Sequence, residues 1–111
     1  MILESAIQKQ ILDYIRRLGF YAWKNNNTGI FDPKRKVFRT VETKGVSDII
    51  AIKNSLVLFI EVKTEKGVQS DSQKEFQAEI EKHGGIYILA RSIEDVSEWL
   101  KNNNINTGRL F

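Results

Sequence analysis

The chain has 111 residues, enough for one domain with a substantial core and too few for two. It contains no cysteine, which excludes disulfides, thiolate zinc sites and a cysteine nucleophile and fits a reducing cytosol; its single histidine leaves no multi-histidine metal site. With 17 Lys and Arg against 14 Asp and Glu, the formal charge of +3 permits a polyanionic partner without requiring one.

The opening Met1-Ile2-Leu3-Glu4-Ser5 lacks a basic segment followed by an apolar run, and the apolar stretches further on are strand-length. Neither a signal peptide nor a membrane span is expected, and a cytoplasmic location is. Leu3, Ile7, Ile11, Tyr14, Ile15 and Leu18 recur at three- and four-residue steps, predicting an amphipathic helix over the first eighteen residues, ended by Gly19. Glu4 falls at the margin of the apolar face, apart from the solvent-facing Lys9, Asp13, Arg16 and Arg17. A functional acid and an acid that merely complements the helix dipole both fit that position.

Residues 20–24 are aromatic and alternating, a strand pattern. They lead into a polar, basic stretch that holds Asn25, Asn26, Asn27, Pro33, Lys34, Arg35 and Lys36, predicting a long loop with a short extended piece at residues 37–41. Long loops in small domains commonly carry function.

Two apolar runs follow, residues 45–52 and 56–63, joined by Lys53-Asn54-Ser55, and together they predict a largely buried β-hairpin. An antiparallel hairpin sets the start of one strand beside the end of its partner, so Asp48 meets Glu61-Val62-Lys63 at one end of the sheet. The period of two puts Glu61 and Lys63 on one face and Val62 on the other. Two carboxylates at the edge of an apolar core repel each other and lose hydration, and a hard divalent cation between them would relieve both costs. Strand-end charges with one acid paired to Lys63 account for the same pattern.

Ser70 or Asp71 is placed to cap a second helix, with Phe76, Ala78 and Ile80 as its apolar contacts and His83-Gly84-Gly85 as its end. His83 in the last turn is accounted for by capping and the dipole. Residues 86–90 read as a further buried strand, and Ser92 as the cap of a last helix carrying Ile93, Val96, Trp99 and Leu100. The predicted order is α-β-β-β-α-β-α over residues 1–111 as a single α/β domain, a mixed β-sheet flanked by helices, with a right-handed strand-helix-strand crossover.

An acid in the first helix, Gly45-Val46-Ser47-Asp48, Glu61-Val62-Lys63 and a helix opening Ser70-Asp71-Ser72-Gln73 together resemble the PD-(D/E)XK nuclease superfamily. Within it the chain is most similar to the VRR-NUC family of virus-type replication-repair nucleases, which includes small stand-alone phage members. The resemblance covers almost the whole chain, with Trp23-Lys24-Asn25 and the Gly84-Gly85 break included. Ser47 departs from the pattern, standing where the family usually has proline.

The resemblance implies a restriction-endonuclease-like core and assigns roles residue by residue. Asp48, Glu61 and the Val62 backbone carbonyl would bind Mg2+ or Mn2+, and Glu4 a second metal or a metal-bound water. Lys63 would hold the attacking water or stabilise charge on the phosphate, and Gln73 would orient the cluster. Lys24, Asn25, Lys34, Arg35, Lys36, Arg39 and Lys44 flank the proposed centre and are the candidate DNA contacts, although a basic loop can equally be a solvated surface. The activity expected is a metal-dependent endonuclease on branched or junction DNA, with a homodimer for symmetric cutting. The alternative is a catalytically inactive nucleic-acid-binding scaffold that keeps the fold.

Overall fold

The computed structural model describes residues 2–25, 30–32, 34, 37–39 and 44–105. Helix α1 spans Glu4–Arg17 and buries Ile7, Ile11 and Ile15, the face its periodicity predicts. Each fully buried aliphatic side chain of this kind contributes about 1.5–3 kcal/mol by leaving water. The helix starts later than its hydrophobic pattern: Leu3 is the N-cap in extended conformation and is 67% exposed, so it belongs outside the core. At the other end Lys53 donates to the Leu18 carbonyl at 2.6 Å, and the Arg16 guanidinium donates to the Ala22 carbonyl at 2.9 and 3.0 Å. These bonds tie the helix to the sheet.

Strand β1 (Tyr21–Lys24) is followed by β2 (Ile30–Asp32) and β3 (Val37–Arg39), which pair antiparallel as a separate two-stranded sheet. The stretch expected to be a long loop therefore carries a second small hairpin. Of the extended piece foreseen at residues 37–41, Val37–Arg39 is its second strand and residues 40 and 41 lie outside the described residues, and Ile30-Phe31-Asp32 is too short to show a period. Strands β4 (Ile49–Lys53) and β5 (Leu56–Val62) form the expected hairpin. Its turn is tighter than the sequence implies: Lys53 pairs with Leu56, and only Asn54 and Ser55 turn, at φ 49° and 70°. Positive φ at both central residues matches the twist of the flanking strands, and asparagine tolerates that conformation.

Helix α2 (Asp71–Lys82) connects β5 to the parallel strand β6 (Ile86–Ala90), and α3 (Ile93–Asn102) closes the described chain. The main sheet has the order β1-β4-β5-β6, antiparallel except for the last pair. The core order of elements agrees with the predicted mixed sheet flanked by helices, with the β2-β3 pair added. Among the described residues, no helix is long and apolar enough to cross a membrane.

The helices divide unequally between the two faces. Ala22, Ile49, Ala51, Leu58, Ile60, Val62, Ile88 and Ala90 form one core cluster with α1 and with Val96 and Leu100 of α3. The alternate residues face the other way, toward α2, which has no fully buried side chain. Phe76 packs edge-on against Phe59 at 5.7 Å and against Tyr87 at 6.3 Å, and Ile80 is half-buried. Ala78, expected to make apolar contacts, is exposed, because it lies on the solvent side of this lightly seated helix.

Candidate metal centre

The hairpin register sets Ile49 opposite Ile60, which places Asp48 level with Glu61 at the end of the sheet. Asp48 Oδ2 accepts the Val62 backbone N–H at 2.7 Å, continuing the ladder with a side chain where the strand pairing stops. The backbone on the other flank is held as well, since the Asn25 N–H donates to the Asp48 carbonyl at 2.7 Å. Ser47 is fully buried and its hydroxyl donates to the Ile49 carbonyl at 3.3 Å, so the serine that departs from the family pattern is satisfied in place.

Glu61 is completely buried at the centre of the sheet end. Gln73 Nε2 donates to its Oε2 at 2.9 Å, and Lys63 Nζ lies 3.7 Å from the same oxygen. Gln73 is aimed by a capping box: its backbone N–H donates to the Ser70 hydroxyl at 3.2 Å while its own Oε1 accepts the Ser70 N–H at 2.8 Å. One side chain thus starts α2 and binds the carboxylate. Gly45, at φ 74°, brings the approach to Asp48 against the first turn of α2; a Cβ there would lie 2.2 Å from the Ser72 carbonyl oxygen. Glycine is required by both conformation and space.

Glu4 reaches the same point from the first turn of α1. One carboxylate oxygen each from Glu4, Asp48 and Glu61 lie within 4.8 Å of one another. Glu61 Oε1 is buried with no hydrogen-bond partner. Burial, followed by the charge and close approach of the Asp48 carboxylate, pushes the Glu61 carboxyl up to about 8, with Lys63 pulling the other way and Glu4 adding to the rise. A buried carboxylate oxygen without a donor is costly, and a proton or a cation satisfies it. Three convergent carboxylates with one orphaned oxygen fit a hard divalent cation, which takes oxygen ligands and retains waters.

The structure therefore brings Glu4, Asp48, Glu61, Lys63 and Gln73 into one cluster, with the Val62 backbone at its edge. The expected nucleic-acid contacts are dispersed. Lys24 and Lys44 are exposed on segments that flank Asp48, Asn25 is joined to it through the backbone, Lys34 is an exposed turn residue between β2 and β3, and Arg39 ends β3. Arg35 and Lys36 lie outside the described residues. His83 is an exposed C-cap whose Nδ1 lies 2.9 Å from the Glu79 carbonyl, away from the cluster.

Three supporting residues were not singled out from the sequence. Arg91 Nη1 donates to the carbonyls of Thr64, Glu65 and Gly67, clamping the turn between Lys63 and α2. Its backbone N–H is taken by the Asp95 carboxylate at 2.8 Å, so Asp95 closes the start of α3 and Ser92 makes no side-chain cap. Gln69 Nε2 donates to Gln77 Oε1 at 2.9 Å and to the buried Tyr87 hydroxyl at 3.1 Å. A charged residue directly after a buried strand was the available signal for Arg91; nothing in the periodicity marked Gln69.

No protein-family model and no curated protein matches the chain. Among solved structures, one described as a VRR_NUC domain superposes with a TM-score of 0.69 at 18% sequence identity, covering 88% of this chain and 94% of that one. The chain has the fold of a VRR_NUC domain.

Proposed function

We propose that this chain is a Mg2+- or Mn2+-dependent endodeoxyribonuclease of the VRR-NUC type. It hydrolyses phosphodiester bonds in branched or junction DNA during replication, recombination or repair, and acts as a homodimer. The observation that carries this reading is the buried Glu61, with one oxygen bonded to Gln73, the other without a partner, and carboxylate oxygens of Glu4 and Asp48 within 4.8 Å of the group. A purely structural sheet end has no use for three carboxylates around an unsatisfied acceptor. Similarity in fold to a VRR_NUC domain supports the same reading.

Asp48, Glu61 and the Val62 carbonyl would hold the cation, with Glu4 serving a second position or acting through water. A bound divalent cation supplies neutralisation of the scissile phosphate and lowers the pKa of water there. The Val62 N–H on Asp48 and the Gln73 amide on Glu61 each fix one carboxylate oxygen, which leaves the other as a candidate ligand atom. Lys63, with Nζ 3.7 Å from Glu61 Oε2, holds the attacking water by donating to it or places a fixed cation where charge develops on the phosphate. No covalent enzyme intermediate is needed. The exposed Lys24, Lys34 and Lys44, with Asn25, Arg35, Lys36 and Arg39, bind the phosphate backbone.

The test uses four-way junction, nicked, flap and linear duplex DNA with Mg2+, Mn2+ or EDTA. Wild type cleaves the branched substrates with either metal and not in EDTA. Asp48→Asn, which keeps an oxygen for the Val62 N–H, loses cleavage by at least about 100-fold while circular dichroism is unchanged, and Lys63→Ala behaves likewise. Wild type that binds DNA and leaves every substrate intact would make the domain a binding scaffold instead. Sedimentation of the protein with and without junction DNA tests the dimer.

A further inference from the structure

The face of the main sheet that carries the carboxylates is only partly roofed. Helix α2 packs against the β6 side through Phe76 on Phe59 and Tyr87. Register places Tyr21 beside Ile52 and Trp23 beside Ile50, so both aromatic side chains share the face of Asp48 and Glu61 on the opposite side of the sheet. Tyr21 is 75% exposed, Trp23 is half-buried, and their rings stand 5.5 Å apart at 50°. Ile50, Ile52 and Val57 floor the same area and are half-buried. Among the described strand residues of the main sheet, this face carries no charge apart from Glu61, with Asp48 and Lys63 just beyond the strand ends.

We propose that Tyr21 and Trp23 form a stacking surface for unpaired nucleobases of the DNA strand whose phosphate lies at Asp48 and Glu61. The inference rests on the nuclease reading and names a part of the substrate. Same-face residues on a strand recur about every 7 Å, so Trp23 lies about one such step, and Tyr21 about two, along the edge strand from the level of Asp48. A strand threaded over this face presents its bases to the aromatic rings within the first few nucleotides of the cut. Tyrosine and tryptophan stack on any base, because every base has a π-face, and the uncharged floor favours bases over phosphates. A second protein copy seated on this face would instead cover the approach to the carboxylates. A nucleic-acid strand leaves that approach filled by its own phosphate.

Tryptophan emission tests the surface in EDTA, where no cleavage intervenes. Oligothymidylate quenches the emission of the wild-type protein, and an abasic oligomer with the same number of phosphates does not. The quench disappears in Trp23→Phe, which leaves only Trp99, a residue packed against the core. Tyr21→Ala weakens oligothymidylate binding about 5- to 150-fold, the loss of one stacked base. Equal affinity for the two oligomers with no change in emission overturns the inference. So does emission that shifts with protein concentration alone and ignores oligothymidylate, which would assign the face to a second copy. Quenching without cleavage in Mn2+ would retain this surface and remove the nuclease reading, whereas cleavage without quenching removes the surface alone.

Discussion

The orphaned carboxylate at the centre of the cluster makes the stability of the metal-free protein fall as pH rises, and Glu61→Gln should abolish that fall. Two unit charges 4.8 Å apart, the limit of separation among the three carboxylate oxygens, repel by about 3.5 kcal/mol at an effective dielectric of 20. Glu61 has two such neighbours and is fully buried. Its carboxyl is accordingly raised from 4.5 to about 8. Below pH 4.5 it is protonated whether the chain is folded or not. Between 4.5 and about 8 the folded protein keeps a proton that the unfolded chain releases. Stability is therefore fully present at the acid end and lost progressively as pH rises through that window, by on the order of a few kcal/mol.

Glutamine is nearly isosteric and mimics the protonated acid at every pH. Urea midpoints in EDTA, measured from pH 5 to pH 8, should fall for wild type relative to Glu61→Gln and leave the variant the more stable protein at pH 8. Mn2+ at about 100 times its dissociation constant should then return about 2.7 kcal/mol to the wild type at pH 8 and little to the variant. Parallel pH curves for the two proteins would refute the reasoning, as would Mn2+ stabilising both equally.

The remaining predictions concern the supports of the site and its anionic partner. Gly45→Ala must place a Cβ at φ 74° and 2.2 Å from the Ser72 carbonyl oxygen, so it should cost about 2 kcal/mol or more in urea denaturation, read against wild type. Gln73→Leu removes half of the capping box and the amide bond to Glu61 together. It should destabilise the fold by about 1–2 kcal/mol and lower the affinity for Mn2+ measured by thermal shift. If four to six basic residues neutralise phosphates, duplex binding in EDTA should weaken with a log–log salt slope of about −4 to −5, and a slope shallower than about −2 would refute a basic DNA-binding surface of that size.

Much of the site was legible because it is local in sequence. Asp48 and Glu61 are joined by one hairpin, so antiparallel pairing alone predicts that they meet, and the period of two puts Lys63 on the face of Glu61. Gln73 entered the sequence reading only through the family resemblance; the structure adds the capping box with Ser70 that sets the direction of its amide. The small β2-β3 hairpin escaped because three-residue strands carry no period, and the two-residue turn escaped because Lys53 looks like loop while it still pairs. Ala78 was misplaced because a lone small residue fits either side of an amphipathic helix.

By itself, the sequence determined which residues alternate, which segments are helices, and that two acids and a lysine share one end of a hairpin. Those properties follow from backbone geometry over a few residues. Only the tertiary structure decided that Glu4 joins them, since its approach depends on the packing of α1 across the sheet through Ile7, Ile11 and Ile15. Only packing, too, buried Glu61 completely and orphaned one of its oxygens, because burial is a property of what covers a residue. The same holds for the exposed Tyr21 beside the site: its aromatic character is written in the chain, and its availability comes from a helix that roofs half of the sheet.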